Sequence, residues 1–430
     1  MNIEDLYALF RRSTGVNTDT RTLQPGQLFF ALKGENFDGN AFAQKALEAG
    51  ALAAVVHADY PGEDSRLIKV PDTLEALKAL AAWHRLHVKG EDPLPVISLT
   101  GTNGKTTTKE LITAALSVRY RVTATKGNLN NEIGVPLSVL QVTPETEIAV
   151  IEMGASHPDD LRPLLAVAQP DYGIITNVGK AHLEGFGSFE GVQHAKGLLY
   201  EYLAASDGIA FVRADDPILR GMAEERGVHV LPYKVPEVLP ASQEEPFLRM
   251  KVGGDVLKTH LVGAYNAANV AAALFIAGWF GIPEKDAAAA IATYEPVNNR
   301  SQLSRTDANL VIEDAYNANP SSMAVALDNL AGMAGRKVAL LGDMRELGEE
   351  SPAEHRNVVR RLDTCGLEAA FLVGPCFASA LQEEGGRAYI QTFTDSDALA
   401  AYLKEHPLQG CTVLVKGSRG IRMEKVIPAL

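Results

Sequence analysis

Apolar and polar positions alternate along this chain in a way that predicts strands and helices in turn. Short apolar runs at 27–32 and 53–57 predict strands, and a helical repeat over 73–87 follows Pro71-Asp72. A second series opens with an apolar strand at 96–99, passes a glycine-rich turn and enters a predicted helix over 105–118. Buried-type strands follow at 148–151 and 172–176, separated by helix-like stretches such as 158–168. The runs 247–252 and 256–261 flank Gly253-Gly254-Asp255, a hairpin signal. A third series places strands at 310–313, 338–341, 370–373 and 412–415. Strands alternating with helices imply parallel sheets covered on both faces. Proline clusters at Glu91-Asp92-Pro93-Leu94-Pro95 and Tyr294-Glu295-Pro296-Val297 read as linkers. The expected fold class is α/β in three domains: a small α/β N-terminal domain over 1–92, a central P-loop parallel-sheet domain over 93–295, and a C-terminal doubly wound domain over 296–430.

The span 261–282 is uncharged and long enough to cross a bilayer, but Asn266 and Asn269 within it make a buried soluble helix the better expectation. Composition narrows the picture further. With 46% apolar and 22% charged residues over 430 positions, disorder and collagen are excluded. Forty Lys plus Arg against 53 Asp plus Glu leave a net charge of −13, which disfavours nucleic acid or an anionic membrane face as partner. An anionic ligand must then be held locally, by amides, a few basic side chains or metal ions. The three cysteines, Cys365, Cys376 and Cys411, form no C-x-x-C pair, which argues against a disulfide framework or structural zinc and fits a reducing compartment. The first ten residues show no basic start followed by an apolar run, so no secretory signal is expected.

Between the strand at 96–99 and its helix lies Thr100-Gly101-Thr102-Asn103-Gly104-Lys105-Thr106-Thr107. In that context Gly101 and Gly104 permit tight turns whose amides, with those of Thr102, Asn103 and Thr107, converge on phosphate oxygens at the positive helix end. Lys105 adds a point charge and Thr106 a hydroxyl for magnesium. The spacing departs from G-x-x-x-x-G-K-[ST], because Leu99 stands five before Gly104. ATP is the default nucleotide, although the loop itself does not exclude GTP. Polar residues just beyond strand ends are the next candidates, since ligands gather there in open α/β sheets. Glu152 and His182 fit, each able to ligate Mg²⁺ or Mn²⁺. Asn319 before Pro320 suits a helix cap, and capping alone would account for it. The run Asp314-Ala315-Tyr316-Asn317-Ala318-Asn319 is nonetheless rich in hydrogen-bonding groups, and Lys416-Gly417-Ser418-Arg419-Gly420 is a basic loop that could equally face an anion or solvent.

Taken in order, these motifs resemble the Mur ligase family of ATP-dependent amide-forming enzymes of peptidoglycan synthesis. The resemblance runs from about Thr18 to Arg419. Gly127-Asn128-Leu129-Asn130-Asn131-Glu132-Ile133-Gly134, Ala181-His182-Leu183-Glu184-Gly185-Phe186, the run from Asp314 through Asn319-Pro320-Ser321-Ser322-Met323, and Gly342-Asp343-Met344-Arg345-Glu346-Leu347-Gly348 are similar to the branch that joins D-alanyl-D-alanine to UDP-N-acetylmuramoyl-tripeptide. That likeness implies Lys105 and Thr106 on ATP phosphates and magnesium, as one ion or two. Glu152, His182 and Lys196 would hold metal, Lys196 as a carbamate. Asn266, Asn269, Arg300 and Asp314 would contact the nucleotide. Thr20 and Arg21 would serve the UDP-sugar, and Asn130, Asn131, Asn317 and Asn319 the peptide substrates. Catalysis would fall to Lys105, Lys196 and His182. Without the resemblance, Lys196 reads as an exposed helical lysine. Tyr265 and Asn40 stand where the family often has His. The likeness also implies a cytoplasmic monomer without membrane insertion. Another amide ligase of the superfamily, adding the third amino acid or glutamate to folate, and a P-loop switch of a different class remain the competing readings.

Overall fold

The computed structural model describes residues 2–34, 37–241, 245–296 and 302–430. Arg300, and Val297 of the second expected linker, fall outside the described residues. At the N-terminal end, α1 (Ile3–Phe10) is followed by β1 (Val16–Asn17), β2 (Leu28–Phe30), β3 (Ala53–His57), β4 (Leu67–Val70) and α2 (Thr73–His87). These strands form one parallel sheet in sequence order. The Asp72 carboxylate accepts the N–H groups of Leu74 and Glu75, which explains why α2 starts where Pro71-Asp72 predicts. Leu77, Leu80 and Ala81 of α2 share one core with Phe30 and Val55 of the N-terminal sheet and with Val135, Val139 and Leu164 of the segment that follows. Buried His84 adds to this seam, with Nε2 2.8 Å from the Val142 carbonyl and Nδ1 3.3 Å from the Tyr7 hydroxyl.

The central sheet comprises β5 (Val96–Thr100), β6 (Val122–Ala124), β7 (Ile148–Glu152), β8 (Tyr172–Ile175), β9 (Ile209–Arg213) and β10 (His229–Tyr233), all parallel in the order β10-β9-β8-β5-β7-β6. Helix α3 (Lys105–Leu116) follows β5, and α4 (Phe189–Ala205) lies between β8 and β9. Successive residues of β5 and β7 enter opposite cores: Ile97, Leu99 and Val150 in one, Val96, Ala149 and Ile151 in the other. Strand order reverses beside β5, so the carboxyl end of β5 is the switch point at which such sheets bind ligands.

A small antiparallel sheet of β11 (Val238–Leu239), β12 (Phe247–Val252) and β13 (Asp255–Val262) comes next. Its second turn is two residues long, Gly253 and Gly254 at φ +57° and +91°, so Asp255 belongs to the strand rather than the turn. The uncharged span at 261–282 is not a single helix. It holds the end of β13, a left-handed turn at Gly263 (φ +92°), a short 3₁₀ segment Ala264–Asn266 and then α5 (Ala267–Trp279). Any side chain at Gly263 would collide with the Tyr265 ring, so the break is built into the backbone. No helix among the described residues is long and apolar enough to cross a membrane.

The C-terminal sheet contains β14 (Gln302–Arg305), β15 (Leu310–Asp314), β16 (Arg336–Gly342), β17 (Ala369–Val373), β18 (Ile390–Phe393) and β19 (Cys411–Lys416), ordered β14-β15-β19-β16-β17-β18. Only β14 runs antiparallel. Ile312, Leu341 and Leu414 face one core and Val311, Leu340 and Val413 the other, as a doubly wound sheet requires. Helix α6 (Pro320–Gly332) follows β15 behind a capping box in which Asn319 and Ser322 exchange hydrogen bonds.

Because α2 sits in one core with the central segment, the Leu77→Ala variant is expected to lose about 2–5 kcal/mol of stability. It should lower the unfolding temperature of the N-terminal and central sheets together. Calorimetry resolving an N-terminal transition that shifts alone would contradict the shared core.

Candidate active site

The loop after β5 is shaped by two glycines that have no freedom to be anything else. Gly101 lies at φ +141°, where a side chain would collide with Thr176 Oγ1. Gly104 lies at φ +77°, and a Cβ there would stand 2.8 Å from Asn269 Oδ1. The neighbouring strand end holds the loop open. Asn103 N–H donates to Asn177 Oδ1 (3.0 Å), while Asn177 Nδ2 and Thr176 Oγ1 both donate to the Asn103 carbonyl (2.9 and 2.7 Å). The Thr102 hydroxyl donates to Gly179 O at 3.2 Å. Sequence reasoning misses Asn177, although it lies just past a strand, the position expected to carry function. Lys105 curls over the loop, its ammonium donating to the carbonyls of Gly101 (2.7 Å) and Thr102 (3.1 Å). The positive end of α3 thus lies beside a flexible cationic side chain, the setting in which helix N-termini hold anions.

Glu152 is the last residue of β7, not a solvated residue beyond it, and is 1% exposed. One carboxylate oxygen, Oε1, accepts from Thr106 Oγ1 (3.1 Å) and Asn130 Nδ2 (2.8 Å). The other, Oε2, is buried with no hydrogen-bond partner. A buried carboxylate oxygen left without a donor is costly unless a cation completes it. The donor set of carboxylate, threonine hydroxyl and amide oxygen suits a hard divalent ion. Thr106, Glu152 and the cleft beside them therefore fit Mg²⁺.

Lys196 on α4 is 2% exposed and so is not the exposed helical lysine that its local sequence alone suggests. Its Nζ donates to the Ala155 carbonyl at 3.0 Å and lies 5.1 Å from the Phe186 ring centroid. Burial, and next the charge of Lys105, push its pKa well below the usual lysine value, against the opposing pull of Asp160. Phe186 also neighbours His182, their ring centroids 6.3 Å apart. Burial lowers the His182 pKa as well; the Glu346 carboxylate opposes this, and Lys105 and Lys196 reinforce it.

The C-terminal sheet meets this loop directly. Asn319 Nδ2 donates to Asn103 Oδ1 at 2.8 Å, so Asn319 does more than cap α6. Lys180 N–H donates to Ser321 Oγ (2.9 Å), Lys180 Nζ pairs with Glu354 (2.6 Å), and His182 Nδ1 lies 2.5 Å from Glu346 Oε2. At the ends of adjacent strands β15 and β19, the buried ammonium of Lys416 pairs with Asp314 at 2.5 Å and also donates to Asn317 O at 3.2 Å. Between the sheets opens a cavity of about 900 Å³. Of the residues singled out from sequence, Thr102, Asn103, Gly104, Lys105, Thr107, Asn130, Asn131, Glu152, His182, Asn266, Asn269, Asp314, Asn317 and Asn319 line it. Gly101, Thr106 and Lys196 are not in that lining but contact lining residues, namely Lys105, Glu152 and Ala155.

Thr20 and Arg21 are not among the cavity residues. The exposed Arg21 fork pairs with Asp19 two residues away, at 2.6 Å. The amides of Asn266 and Asn269 are engaged within the protein: Asn269 Nδ2 donates to Asn266 Oδ1 (2.9 Å), Asn266 Nδ2 to Val262 O (2.8 Å), and Thr108 Oγ1 to Asn269 Oδ1 (3.0 Å). Both still present an edge to the cavity, next to Tyr265. Asn40 ties its loop to the end of β3, its Oδ1 accepting from His57 N–H at 3.1 Å.

Comparison with known proteins agrees with this geometry. Residues 12–85 match the model described as Mur ligase family, catalytic domain; 99–277 match the Mur ligase middle domain; and 299–419 match the Mur ligase, glutamate ligase domain. The UDP-N-acetylmuramoyl-tripeptide--D-alanyl-D-alanine ligases of Escherichia coli and Bacillus subtilis are 37% and 35% identical, over 96% and 97% of this chain and 93% of each relative. Among solved structures, MurF from Acinetobacter baumannii superposes with a TM-score of 0.87 at 29% identity, covering 99% of this chain and 98% of that one. MurF ligase from Thermotoga maritima in complex with ADP gives 0.83 at 29% identity, covering 98% and 97%. With family models matched along most of its length and relatives above 30% identity end to end, this chain belongs to the Mur ligase family.

Proposed function

We propose that this chain joins D-alanyl-D-alanine to UDP-N-acetylmuramoyl-tripeptide in an ATP-dependent reaction that releases ADP and phosphate. Full-length relatives of that activity at 33–37% identity support the reading. The observation that carries the chemistry is the buried Glu152 carboxylate, hydrogen-bonded to Thr106 of the phosphate loop and presenting one oxygen without a protein donor. A folylpolyglutamate synthase and a ligase adding diaminopimelate share the fold at only 16% and 18% identity. Neither competes as a reading of the substrate.

Amide formation from a free carboxylate requires activation. A carboxylate oxygen of the tripeptide attacks the γ-phosphorus, the bond to the bridging oxygen of ADP breaks, and an acyl phosphate results. The amine of D-alanyl-D-alanine then attacks the acyl carbon and loses a proton, and the tetrahedral intermediate expels phosphate. Every reacting group but the amine is anionic. Lys105 and the amides of the Gly101–Thr107 loop offset that repulsion. Mg²⁺, when bound, supplies further charge neutralisation on the phosphates, and Thr106, Glu152, His182 and carbamylated Lys196 are the groups to hold it. Lys196 is suited to carbamylation because its burial favours the neutral amine, the form that adds CO₂. Holding acid and amine side by side lowers the barrier by ~7–11 kcal/mol, and the docked C-terminal sheet keeps water from the acyl phosphate. Asn266, Asn269, Asp314 and Arg300 are assigned to the nucleotide, and Asn130, Asn131, Asn317 and Asn319 to the peptides. Thr20 and Arg21 serve the UDP end. The domains are assigned as 1–92, 93–295 and 296–430, and the enzyme as a cytoplasmic monomer.

Incubation with ATP, Mg²⁺, UDP-N-acetylmuramoyl-tripeptide and D-alanyl-D-alanine is expected to give a product heavier by one dipeptide residue pair in the mass spectrum, and Lys105→Ala to reduce its formation at least ~100-fold without loss of fold by circular dichroism. Near-normal ligation by that variant would refute the role of the loop. Lys196→Met removes a buried amine whose protonation the fold opposes. In CO₂-free buffer it should therefore raise the melting temperature at neutral pH, with a gain that shrinks as pH rises toward the ordinary lysine value, while ligation is lost. With ¹³C-bicarbonate, the wild type but not this variant should show a carbamate carbon signal by NMR.

A further inference from the structure

Among the described residues, five non-glycine residues adopt left-handed backbone, and two of them, His182 (φ +51°) and Glu346 (φ +62°), meet across the cleft, Nδ1 2.5 Å from Oε2. Such conformations are unfavourable for side chains other than glycine and persist where surrounding structure enforces them. Here both sides do so. Glu184 N–H reaches back to the Glu346 carbonyl at 3.4 Å, and Gly348 lies beside Glu184, where an added Cβ would meet Glu184 Cα at 3.4 Å, an ordinary van der Waals contact. The strain aims one carboxylate oxygen at one imidazole nitrogen, Nδ1. Nε2 has no hydrogen-bond partner among the described residues, and His182 lines the cavity with Glu152.

We infer that Glu346 is a positioning residue for the divalent-cation site: by accepting the Nδ1 proton of His182 it fixes the tautomer and ring orientation in which Nε2 offers its lone pair to the cation. Metal-bound histidines commonly give their second nitrogen to a carboxylate for this reason. What is unusual is the origin of the carboxylate. Glu346 belongs to the loop after β16, on the C-terminal sheet, whereas His182 and Glu152 belong to the central one. The cation site is complete only when the two sheets are docked, so docking and cation affinity reinforce each other, as thermodynamic linkage demands. The motif from Gly342 to Gly348 thereby gains a role, in which Gly348 at φ +53° lets the loop close on Glu184 and Glu346 delivers the carboxylate.

This inference rests on His182 being a cation ligand, and the test separates the two. Mn²⁺ is the probe, its affinity measured by electron paramagnetic resonance with ADP present on the full chain, for wild type and for His182→Ala, Glu346→Gln and Glu354→Gln. The expected result is weakening by roughly 10–100-fold in His182→Ala and at least ~10-fold in Glu346→Gln, with no more than about a twofold change in Glu354→Gln, which breaks the neighbouring Lys180 contact and leaves His182 alone. Unchanged affinity in His182→Ala would remove the ligand reading itself. Loss in His182→Ala but not in Glu346→Gln would overturn only the positioning role, as would equal loss in Glu346→Gln and Glu354→Gln, which would mean that docking alone matters. As a check that needs no variant at Glu346, ¹⁵N-histidine NMR of the wild type with Mg²⁺ and ADP should show His182 protonated on Nδ1; protonation on Nε2 would overturn the proposal.

Discussion

The geometry of the cleft depends on a backbone turn whose hydrogen bonds are met from outside, by the end of the neighbouring strand. Between β5 and α3 the chain reverses through Gly101 and Gly104, both left-handed and both pressed against neighbours that leave no room for a side chain. An ordinary turn would satisfy its amides internally. Here Thr176 and Asn177 take the carbonyl of Asn103, and Asn177 also takes the amides of Thr102 and Asn103, so the neighbouring strand end fixes the path of the loop into α3. In a chain of net charge −13 this local arrangement of dipoles, with Lys105, replaces the broad positive surface that a more basic protein would use.

From that turn the remaining parts follow by contact. Glu152 reaches it through Thr106, Asn130 reaches Glu152, and Asn319 brings the C-terminal sheet onto Asn103. Gly179 permits this approach, since a Cβ there would stand 2.6 Å from Ser321 Oγ. Each sheet supplies only part of the chemistry. The central one offers the Gly101–Thr107 loop and a carboxylate with a spare oxygen; the C-terminal one offers Asp314, Lys416 and the Glu346 loop.

Most of the fold is legible in the sequence. Helix α2 begins and ends as predicted because Asp72 caps it and its apolar face has a full core to fill. The long apolar strands are equally clear. The short edge strand β6, and β10 with Pro232 inside it, are not, because three residues or a strand proline carry little periodic signal. The uncharged span at 261–282 misleads for a related reason: hydropathy does not register a left-handed glycine, and Gly263 divides strand from helix. At the site, the loop and Glu152 can be read from their places at strand ends. Burial of Lys196 cannot, since nothing in a helical repeat reveals which face meets a second sheet. Asn177 lies in plain view after β8, whereas the His182 and Glu346 pair joins positions far apart in the chain and is visible only in three dimensions.

The chemistry requires that one carboxylate be activated by phosphorylation before the amine attacks it. The most direct test is to label the terminal carboxylate of the tripeptide with ¹⁸O and analyse the phosphate released during ligation. Passage through an acyl phosphate predicts one ¹⁸O atom in each phosphate, carried over when the acyl carbon to oxygen bond breaks. Unlabelled phosphate alongside normal amide product would contradict it.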